Sequence, residues 1–248
     1  MKSVNTDVAY EYVRKRILNG EYPPGHALLT EVLANEIKVS RTPVRDALRK
    51  LETDGLVTIR AHLGASVKKM ELKEFREMCD LRLALESHAA GLAAVNHTEG
   101  DLSEIRYALE AMRRMTDQII AASQEQPLLS ELVREDVRFH IGVMTAAKND
   151  LMKKEILRLH LVNRVVSGTM VGKKSSVQKA ESDARRRLVL AKHNDIYTAI
   201  AASDPVTAKR EMEFHLQELI DHNLLLITRT ETGVLARDLT PEELAYNS

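Results

Sequence analysis

The segment from Val39 to Leu51 constrains the fold of this chain most, because it combines helix-start signals with a single apolar stripe. Thr42 predicts the helix start as a capping residue, and Pro43 fits the first helical position, where a missing N–H loses no helical partner. Apolar residues then recur at the spacing of one helix face, at Val44, Ala47, Leu48 and Leu51. The segment is therefore predicted to be a short helix with one buried side.

The opposite side of this helix is basic. Its members are Arg41, Thr42, Arg45 and Arg49. Such a helix suits the major groove of DNA, where arginine pairs with guanine through two hydrogen bonds while threonine and other arginines hold phosphates. The alternative is an ordinary amphipathic helix with a solvated basic face, and the helix alone leaves both interpretations open.

Two further helices are predicted before the basic helix. Residues 8–19 form the first, which Gly20 ends, and a Tyr-Pro-Pro-Gly turn follows at residues 22–25. Thr30–Ile37 forms the second, with its apolar side pointing inward. A tight connection at residues 38–40 then leads into the basic helix, as in a helix-turn-helix.

A β-hairpin is predicted after the basic helix. Gly55 ends the helix, and residues 56–60 alternate like a strand. Residues 61–64 form a turn, after which residues 65–67 return as a second strand. Three helices and a hairpin within about seventy residues give a winged helix-turn-helix, in which the hairpin is a wing beside a second groove. This order favours DNA binding over a merely solvated basic face.

The same region, residues 8–68, resembles the GntR-type bacterial transcription regulators. The matching segments have the order and spacing of that family: Gly20–Gly25, Leu33–Ala34, Val39–Leu48 and Leu51–Val57. The resemblance implies that double-stranded DNA is contacted by Ser40, Arg41, Thr42, Arg45 and Arg49. It also implies that His62 and Gly64 place the wing tip at the minor groove. Val32 stands near the place where family members often carry an arginine, so we expect one DNA contact to be missing.

The length of the chain allows a second domain. It has 248 residues, which is enough for two hydrophobic cores. We expect a winged helix-turn-helix domain at residues 1–68, a short stiff linker at 69–72, a helical domain at 73–230 and a C-terminal tail at 231–248. A capping box at residues 240–243 predicts a short helix within the tail.

The charge distribution agrees with a nucleic-acid partner for the first domain only. The net charge of the whole chain is zero. Residues 1–70 hold 12 Lys and Arg against 8 Asp and Glu, and the remaining residues hold 24 against 28. A basic N-terminal part on an acidic body is expected when only that part meets phosphate.

Composition narrows the cellular setting. No run of eighteen apolar residues and no signal peptide is present, so we expect a cytoplasmic protein without a membrane partner. The single cysteine, Cys79, excludes an intrachain disulfide. It is expected to be a small core residue rather than a reactive thiol, because no partner for catalysis or metal binding can be assigned to it.

The second domain has the pattern of an antiparallel helical bundle. Six helices are predicted, at about residues 73–95, 101–124, 128–146, 149–171, 178–202 and 205–229. The short connections between them make neighbouring helices antiparallel. The last helix is expected to begin with Ser203 or Asp204 as its cap and Pro205 in its first turn. The fold class is therefore mainly α.

Metal-ligand side chains lie on the inward faces of three of these helices. Asp136 and His140 are four residues apart on one helix face, and His193 and His215 lie on the apolar faces of two later helices. One divalent cation would satisfy all four groups. Three nitrogens and one oxygen suit zinc, nickel, manganese or iron better than calcium or magnesium. The alternative is that each is a hydrogen-bonded core residue, and composition alone does not decide.

Other histidines compete for a place in such a site. His222 lies on the same stripe as His215, two turns or roughly 10.5 Å further along the helix, so only one of them can join a given site. His160 is another candidate. His88 and His97 are expected to be structural or exposed.

Residues 72–229 resemble the all-helical effector domain of FadR-like GntR regulators, called the FCD domain. The resemblance rests on the segments Arg82–Glu86, Ala89–Ala90 and Asp136–His140 and on a series from His193 to His215. It implies that the metal ligands are Asp136, His140, His193 and His215, and it leaves His222 outside. From the donor types we expect zinc, with nickel, manganese or iron as alternatives. It also implies a small organic acid as effector, whose carboxylate the metal holds. Six helices place the chain nearer the VanR-like variety.

Three side chains are candidates for the remaining effector contacts. Arg82, on the first bundle helix, can clamp a carboxylate, and the alternative is an ion pair with Glu86 on the surface. Asn163 and Arg164, on the fourth helix, can line the cavity, and the alternative is a solvated helix face. Only 4% of the residues are aromatic, which speaks against a flat stacking ligand.

Together these features predict a homodimeric, ligand-responsive transcription regulator, which we expect to be a repressor. Two winged domains would read a short inverted-repeat operator, because a two-fold protein matches a two-fold site. A bound acid is expected to weaken DNA binding. Two alternatives stay open: a metal sensor whose signal is the ion, and a metalloenzyme that carries a DNA-binding module. No general base can be assigned, so enzyme activity is not expected.

Overall fold

A computed structural model describes residues 2–122, 128–167 and 176–229 of the chain. These residues form two compact units. The first contains residues 2–78 and 158–167, and the second contains residues 79–122, 128–157 and 176–229. No helix in the described part is both long and apolar enough to cross a membrane.

The first unit is a winged helix-turn-helix, as predicted. Its elements are α1 (Lys2–Leu18), β1 (Ala27–Leu28), α2 (Thr30–Ile37), α3 (Arg41–Thr53), β2 (Val57–Arg60) and β3 (Gly64–Val67). The predicted apolar stripe of α3 is buried, and α3 packs against both α1 and α2. From α1, the fully buried Ala9 and Val13 contribute to the core of this unit. The stripe therefore fixes which side of α3 faces outward.

The start of α3 differs from the prediction. The helix begins at Arg41 with Ser40 as its N-cap, although the Ser40 side chain makes no capping hydrogen bond. The assignment of Thr42 as the capping residue is therefore wrong, because the first turn starts before it. Pro43 is still tolerated, since backbone N–H groups in the first turn of a helix have no intrahelical acceptor.

The wing contains one strand that the sequence pattern did not indicate. The antiparallel sheet has the order β1-β3-β2, with Ala27 opposite Ser66 and Val57 opposite Val67. β1 is only two residues long, which is too short for alternation to be visible. Gly64 begins β3 with a φ of +83°, a conformation that favours glycine at this turn.

All six predicted helices of the bundle are present. They are α4 (Leu72–Asn96), α5 (Glu99–Ala121), α6 (Leu128–Ala146), α7 (Asp150–Ser167), α8 (Ser176–Ala201) and α9 (Pro205–Arg229). The core of the second unit is apolar and contains Ile105, Phe139, Ile196 and Met212, each with an exposed fraction of 1% or less. These residues come from α5, α6, α8 and α9, and the buried Ala90, Ala93 and Ala94 of α4 belong to the same core.

Helix caps explain two of the helix starts in the bundle. Thr98 and Asp101 form a capping box, in which the Thr98 side chain accepts from the Asp101 N–H and the Asp101 carboxylate accepts from the Thr98 N–H. α5 therefore starts two residues before the prediction. Asp204 caps α9 by accepting from the Thr207 N–H at 3.0 Å, and Pro205 is the first helical residue, as predicted. The predicted tail helix and its capping box lie outside the described residues.

Cys79 is buried, as expected for a small core residue. Burial raises the pKa of its thiol to about 11. The thiolate, which is the reactive form, is therefore scarce at neutral pH.

Candidate functional site

The basic face of α3 is exposed. Arg41, Thr42, Arg45 and Arg49 all lie on the side of the helix opposite the buried stripe, and Ser40 is exposed at its N-cap. Some of these arginines contact acids of the same unit: Arg41 lies 2.7 Å from Glu31, and Arg49 lies 3.7 Å from Asp46. Both pairs are exposed to solvent, where ion pairs contribute little, so phosphates can displace the acids easily.

The orientation of α3 is fixed by contacts with α1. The Tyr10 hydroxyl donates to the Asp54 carboxylate at 2.7 Å, directly after the helix. The Lys50 ammonium donates to Asp7 at 2.8 Å. These contacts attach the C-terminal half of α3 to α1, while its N-terminal arginines remain exposed.

The turn of the wing is exposed as well. Of the predicted wing-tip residues, His62 lies in the turn between β2 and β3 together with Leu63, and Gly64 is the first residue of β3. Leu63 is 78% exposed, which is unusual for a large apolar residue. His62 has a φ of +63°, a backbone conformation that residues other than glycine seldom adopt. β2 packs against α3, so the wing is attached directly to the basic helix.

Three buried histidines meet in the second unit. His140 lies on α6, His193 on α8 and His215 on α9, with exposed fractions of 4%, 0% and 1%. The Nε2 atom of His140 lies 3.4 Å from that of His193 and 3.3 Å from that of His215. One possible ligand atom from each histidine lies within 4.8 Å of the other two.

Asp136 lies one helical turn before His140. Its Oδ1 atom is 3.2 Å from Nε2 of His193, and its side chain is 36% exposed. Desolvation raises the pKa of the Asp136 carboxyl. The contact with His193 and the nearby His140 and His215 lower this pKa by a larger amount, so the net shift is downward. Asp136 is therefore a carboxylate at neutral pH, which is the form that binds cations.

The spacing of the histidine nitrogens fits a divalent metal. With metal–nitrogen bonds of about 2.0–2.1 Å, the corners of a tetrahedral zinc site are about 3.3–3.4 Å apart. The two Nε2–Nε2 distances from His140 have this length. A cation would also explain why Nε2 of His193 faces Oδ1 of Asp136, since the Nδ1 atom of His193 already lies 2.7 Å from the Val189 carbonyl. A neutral imidazole carries only one N–H to donate.

The protonation state of His215 suits the same role. Burial, followed by the neighbouring His193 and His140, lowers the pKa of His215 well below its usual value. His215 is therefore uncharged at neutral pH, and a neutral imidazole is the form that coordinates metals.

Arg82 and Glu86 lie on α4 beside this cluster. The Arg82 Nε–H donates to Oε1 of Glu86 at 2.8 Å, and the two side chains are only 10% and 1% exposed. The ion pair considered as an alternative therefore forms, but it is buried rather than on the surface. The other oxygen of Glu86 lies 3.6 Å from Nδ1 of His140. The sequence did not indicate this contact.

A cavity of about 350 Å³ opens beside His215, between α8 and α9. Its described lining residues are Arg185, Leu188, Val189, His215, Glu218, Leu219 and Asp221. Burial lowers the pKa of the Arg185 guanidinium, which shows partial desolvation, while Glu218 opposes the shift. Sequence reasoning missed Arg185, because it precedes two further arginines and resembles a solvated basic run.

Several predicted candidates do not belong to this cluster or are not described. Among the described residues, the cluster of His140, His193 and His215 includes none of His88, His97 and His160. Asn163 and Arg164 belong to α7, but their side chains lie outside the described residues, as does the side chain of His222.

An exposed basic helix with a wing, in a chain that also forms an apolar helical bundle with a buried histidine cluster, is typical of a DNA-binding transcription regulator. Comparison with known families gives the same result. Residues 5–67 match the bacterial regulatory proteins of the gntR family, and residues 77–218 match the FCD domain. This chain belongs to the GntR family of bacterial transcription regulators and carries an FCD domain.

Individual relatives are regulators too. The HTH-type transcriptional regulator LutR of Bacillus subtilis is 32% identical, and the alignment covers 83% of this chain and 94% of LutR. The HTH-type transcriptional repressor RspR of Escherichia coli is 28% identical over 85% of both chains. The solved structure of E. coli McbR/YncC has a TM-score of 0.66 and 18% identity, and the match covers 90% of this chain and 98% of that one. The last likeness concerns the fold alone.

The family and these relatives settle the broad class. The chain is a DNA-binding transcription regulator, and the metalloenzyme alternative is not retained.

Proposed function

We propose that this regulator is a homodimeric repressor whose helical domain binds a divalent metal ion and a small organic acid. The metal ligands are Asp136, His140, His193 and His215, and zinc is the preferred ion. The observation that carries the proposal is the approach of three buried histidine Nε2 atoms from α6, α8 and α9. Such an ion supplies a positive centre on which an anionic ligand can bind.

The cavity beside His215 supports a small carboxylate as the effector. Its volume of about 350 Å³ is at the lower end of the range for small-molecule sites. Arg185 provides a partly desolvated cation in its wall, and the leucine and valine side chains provide an apolar surface. A carboxylate between Arg185 and the metal centre would pair with positive charge at both ends. Arg82, Asn163 and Arg164 remain candidates for further contacts with the acid.

Operator binding is assigned to α3 and the wing. Arg45 and Arg49 are proposed to contact bases and phosphates, and Ser40, Arg41 and Thr42 to contact the DNA at the N-terminus of α3. His62 and Gly64 would lie at the minor groove. A short inverted repeat is the expected operator, because a two-fold dimer places two equal helices in successive major grooves. The relative RspR is itself a repressor, which supports the proposed direction of regulation.

The proposal is tested by measuring metal content and operator affinity on the same protein. The operator is first selected from random-sequence DNA with purified protein. Elemental analysis should then find one zinc per chain after dialysis against zinc, and none after chelation. Operator affinity is measured with apo protein, zinc-loaded protein, and zinc-loaded protein with a panel of mono-, di- and tricarboxylic acids.

The three arms of this experiment separate the alternatives. Loss of operator affinity only with zinc and an acid together supports the proposed effector response. A change with zinc alone indicates a metal sensor instead. Absence of stoichiometric metal in folded protein contradicts the proposed site.

A further inference from the structure

We infer that Glu86 is a positioning residue for the histidine cluster: its carboxylate accepts the Nδ1–H of His140, and Arg82 holds that carboxylate in place. This inference rests on the proposed metal site and names a residue outside the proposed ligand set. It assigns a role to the most buried acidic side chain of the second unit for which exposure is described, since Glu86 is only 1% exposed.

A carboxylate does not remain in a helical core without compensation. Burial of an unpaired charge is so unfavourable that buried carboxylates are paired or hydrogen-bonded. Arg82 compensates one oxygen of Glu86, since its Nε–H donates to Oε1 at 2.8 Å. The second oxygen, Oε2, faces the imidazole of His140 at 3.6 Å from Nδ1. Each oxygen of Glu86 thus faces a different partner.

The packing of α4 against α6 holds the two residues opposite each other. Ala89 lies one turn after Glu86 on α4, and Met144 lies one turn after His140 on α6. Ala89 and Met144 belong to the same buried apolar cluster, with exposed fractions of 1% and 3%. The contact between Glu86 and His140 therefore continues an existing packing interface. Side chains in such a close-packed region have little freedom to rotate away.

The contact between Glu86 and His140 suits the chemistry of a histidine that binds a metal. A neutral imidazole has one N–H and one lone pair, and a ligand must turn the lone pair toward the metal. The Nε2 atom of His140 faces His193 and His215, so a metal bound there would leave the N–H of His140 on Nδ1, which is the atom beside Glu86. A carboxylate at this position fixes the tautomer and the ring orientation and makes the ligand more basic.

His193 shows that the site uses two different acceptors. Its Nδ1 atom lies 2.7 Å from the carbonyl oxygen of Val189, which is a neutral backbone group. His140 faces the side-chain carboxyl group of Glu86 instead. The distance from Glu86 to His140 is longer than a hydrogen bond of 2.7–3.2 Å, so we expect it to shorten when the Nδ1–H is formed.

A purely structural role for the pair makes a different prediction. If Arg82 and Glu86 served only to hold α4, changes at Glu86 would alter stability and leave zinc affinity unchanged. The test is therefore a zinc titration of the full chain against a chromogenic chelator, for wild type, Glu86→Gln and Asp101→Asn. Asp101 is the matched control, because it is also a mostly buried acid in an ion pair. Its side chain is 11% exposed, and its Oδ2 atom lies 2.6 Å from Nζ of Lys148, but it contacts no histidine of the cluster.

We expect Glu86→Gln to weaken zinc binding by about 10–100-fold, the range typical of changes in the partner of a metal-bound histidine. Asp101→Asn should lower the melting temperature but leave the zinc affinity within twofold of wild type. Equal zinc affinity of wild type and Glu86→Gln would overturn the inference and leave the proposed metal site standing. Failure of wild type itself to bind zinc would overturn both.

A second measurement needs no variant, so it applies even if Glu86→Gln does not fold. Long-range ¹H–¹⁵N NMR of zinc-loaded wild type reports which nitrogen of each histidine carries the proton. We expect His140 to carry it on Nδ1, with the downfield proton shift of a hydrogen bond to a carboxylate. A His140 ring that is protonated on Nε2 would overturn the inference.

Discussion

The Nε2 atoms of His140 and His215 lie 3.3 Å apart, although the two residues are 75 positions apart in the sequence. The rings are nearly stacked, with an interplanar angle of 25°. Two buried imidazole nitrogens at this distance need either an N–H···N hydrogen bond or a cation between them, because two lone pairs that face each other repel. This relationship supports the proposed metal site and leads to the first prediction.

His193→Ala should abolish stoichiometric zinc binding. In wild type, zinc at 100 times its Kd is expected to stabilise the folded chain by about 2.7 kcal/mol, since it binds only the folded state. The variant should show no rise in melting temperature when zinc is added. Calorimetry with and without zinc measures the difference within each protein, so the cavity left beside Phe139 does not affect the comparison.

His88→Ala is the matched control for that experiment. His88 is exposed on α4 and lies outside the cluster, so its zinc response should equal that of wild type. Full zinc occupancy of His193→Ala in elemental analysis would reject its assignment as a ligand.

Arg45→Ala should weaken operator binding by about 1–3 kcal/mol without loss of fold, which is the usual contribution of a good base contact. The side chain is exposed on α3, so its removal leaves the buried stripe intact. Fluorescence anisotropy with operator DNA measures the effect, and circular dichroism checks the fold. Arg106→Ala, at an exposed arginine of α5, removes the same charge from the other unit and should leave affinity unchanged. Equal losses for the two variants would mean that Arg45 acts only through overall charge.

Helical periodicity carried most of what could be predicted. Val44 and Leu51 fall on one stripe, and the inward position of His193 follows from its neighbours Ile196 and Ile200, so the fold class and the meeting of the histidines could be expected. The short strand β1 could not be predicted, because two residues are too few to show an alternating pattern and because its pairing depends on β3. The role of Thr98 as the N-cap of α5 was not predicted, because the nearby Gly100 suggests a break in the chain rather than the start of a helix.

The partners of the site were less predictable than its centre. Arg82 and Glu86 are four residues apart, which is also the spacing of an ordinary solvated ion pair. Only the packing of α4 against α6 shows that the pair is buried and faces His140. Arg185 gives no signal of its own, because the cavity beside it exists only when α8 and α9 are brought together.

The stability of the bundle should fall between about pH 4 and pH 2 through Asp101. Burial raises the pKa of its carboxyl, but hydrogen bonds from Lys148 and Thr98 lower it more, to about 2. A carboxyl whose pKa is lower in the folded state stabilises fully above its unfolded pKa, which is about 3.9. That stabilisation is lost as pH falls through the folded pKa.

Denaturant unfolding of wild type and Asp101→Asn across this pH range measures the effect. The two free energies of unfolding should differ most above pH 4 and converge toward pH 2, because the variant has no carboxylate to protonate. A difference that is independent of pH would show that the ion pair with Lys148 and the capping box do not depend on the charge of Asp101.

Arg185→Ala should reduce the response of operator binding to small carboxylates without loss of zinc. Its guanidinium lies in the wall of the cavity beside His215 but is not among the proposed ligands. We expect a tenfold or greater increase in the acid concentration that releases the operator, since about 1.4 kcal/mol corresponds to a factor of ten and charge-assisted hydrogen bonds contribute at least that much. Lys209→Ala, which removes an exposed cation of α9 that does not line this cavity, is the control and should respond as wild type does. Zinc content is measured on all three proteins. If Arg185→Ala retains zinc and responds to the same acid concentrations as wild type, the effector does not bind between Arg185 and the metal centre.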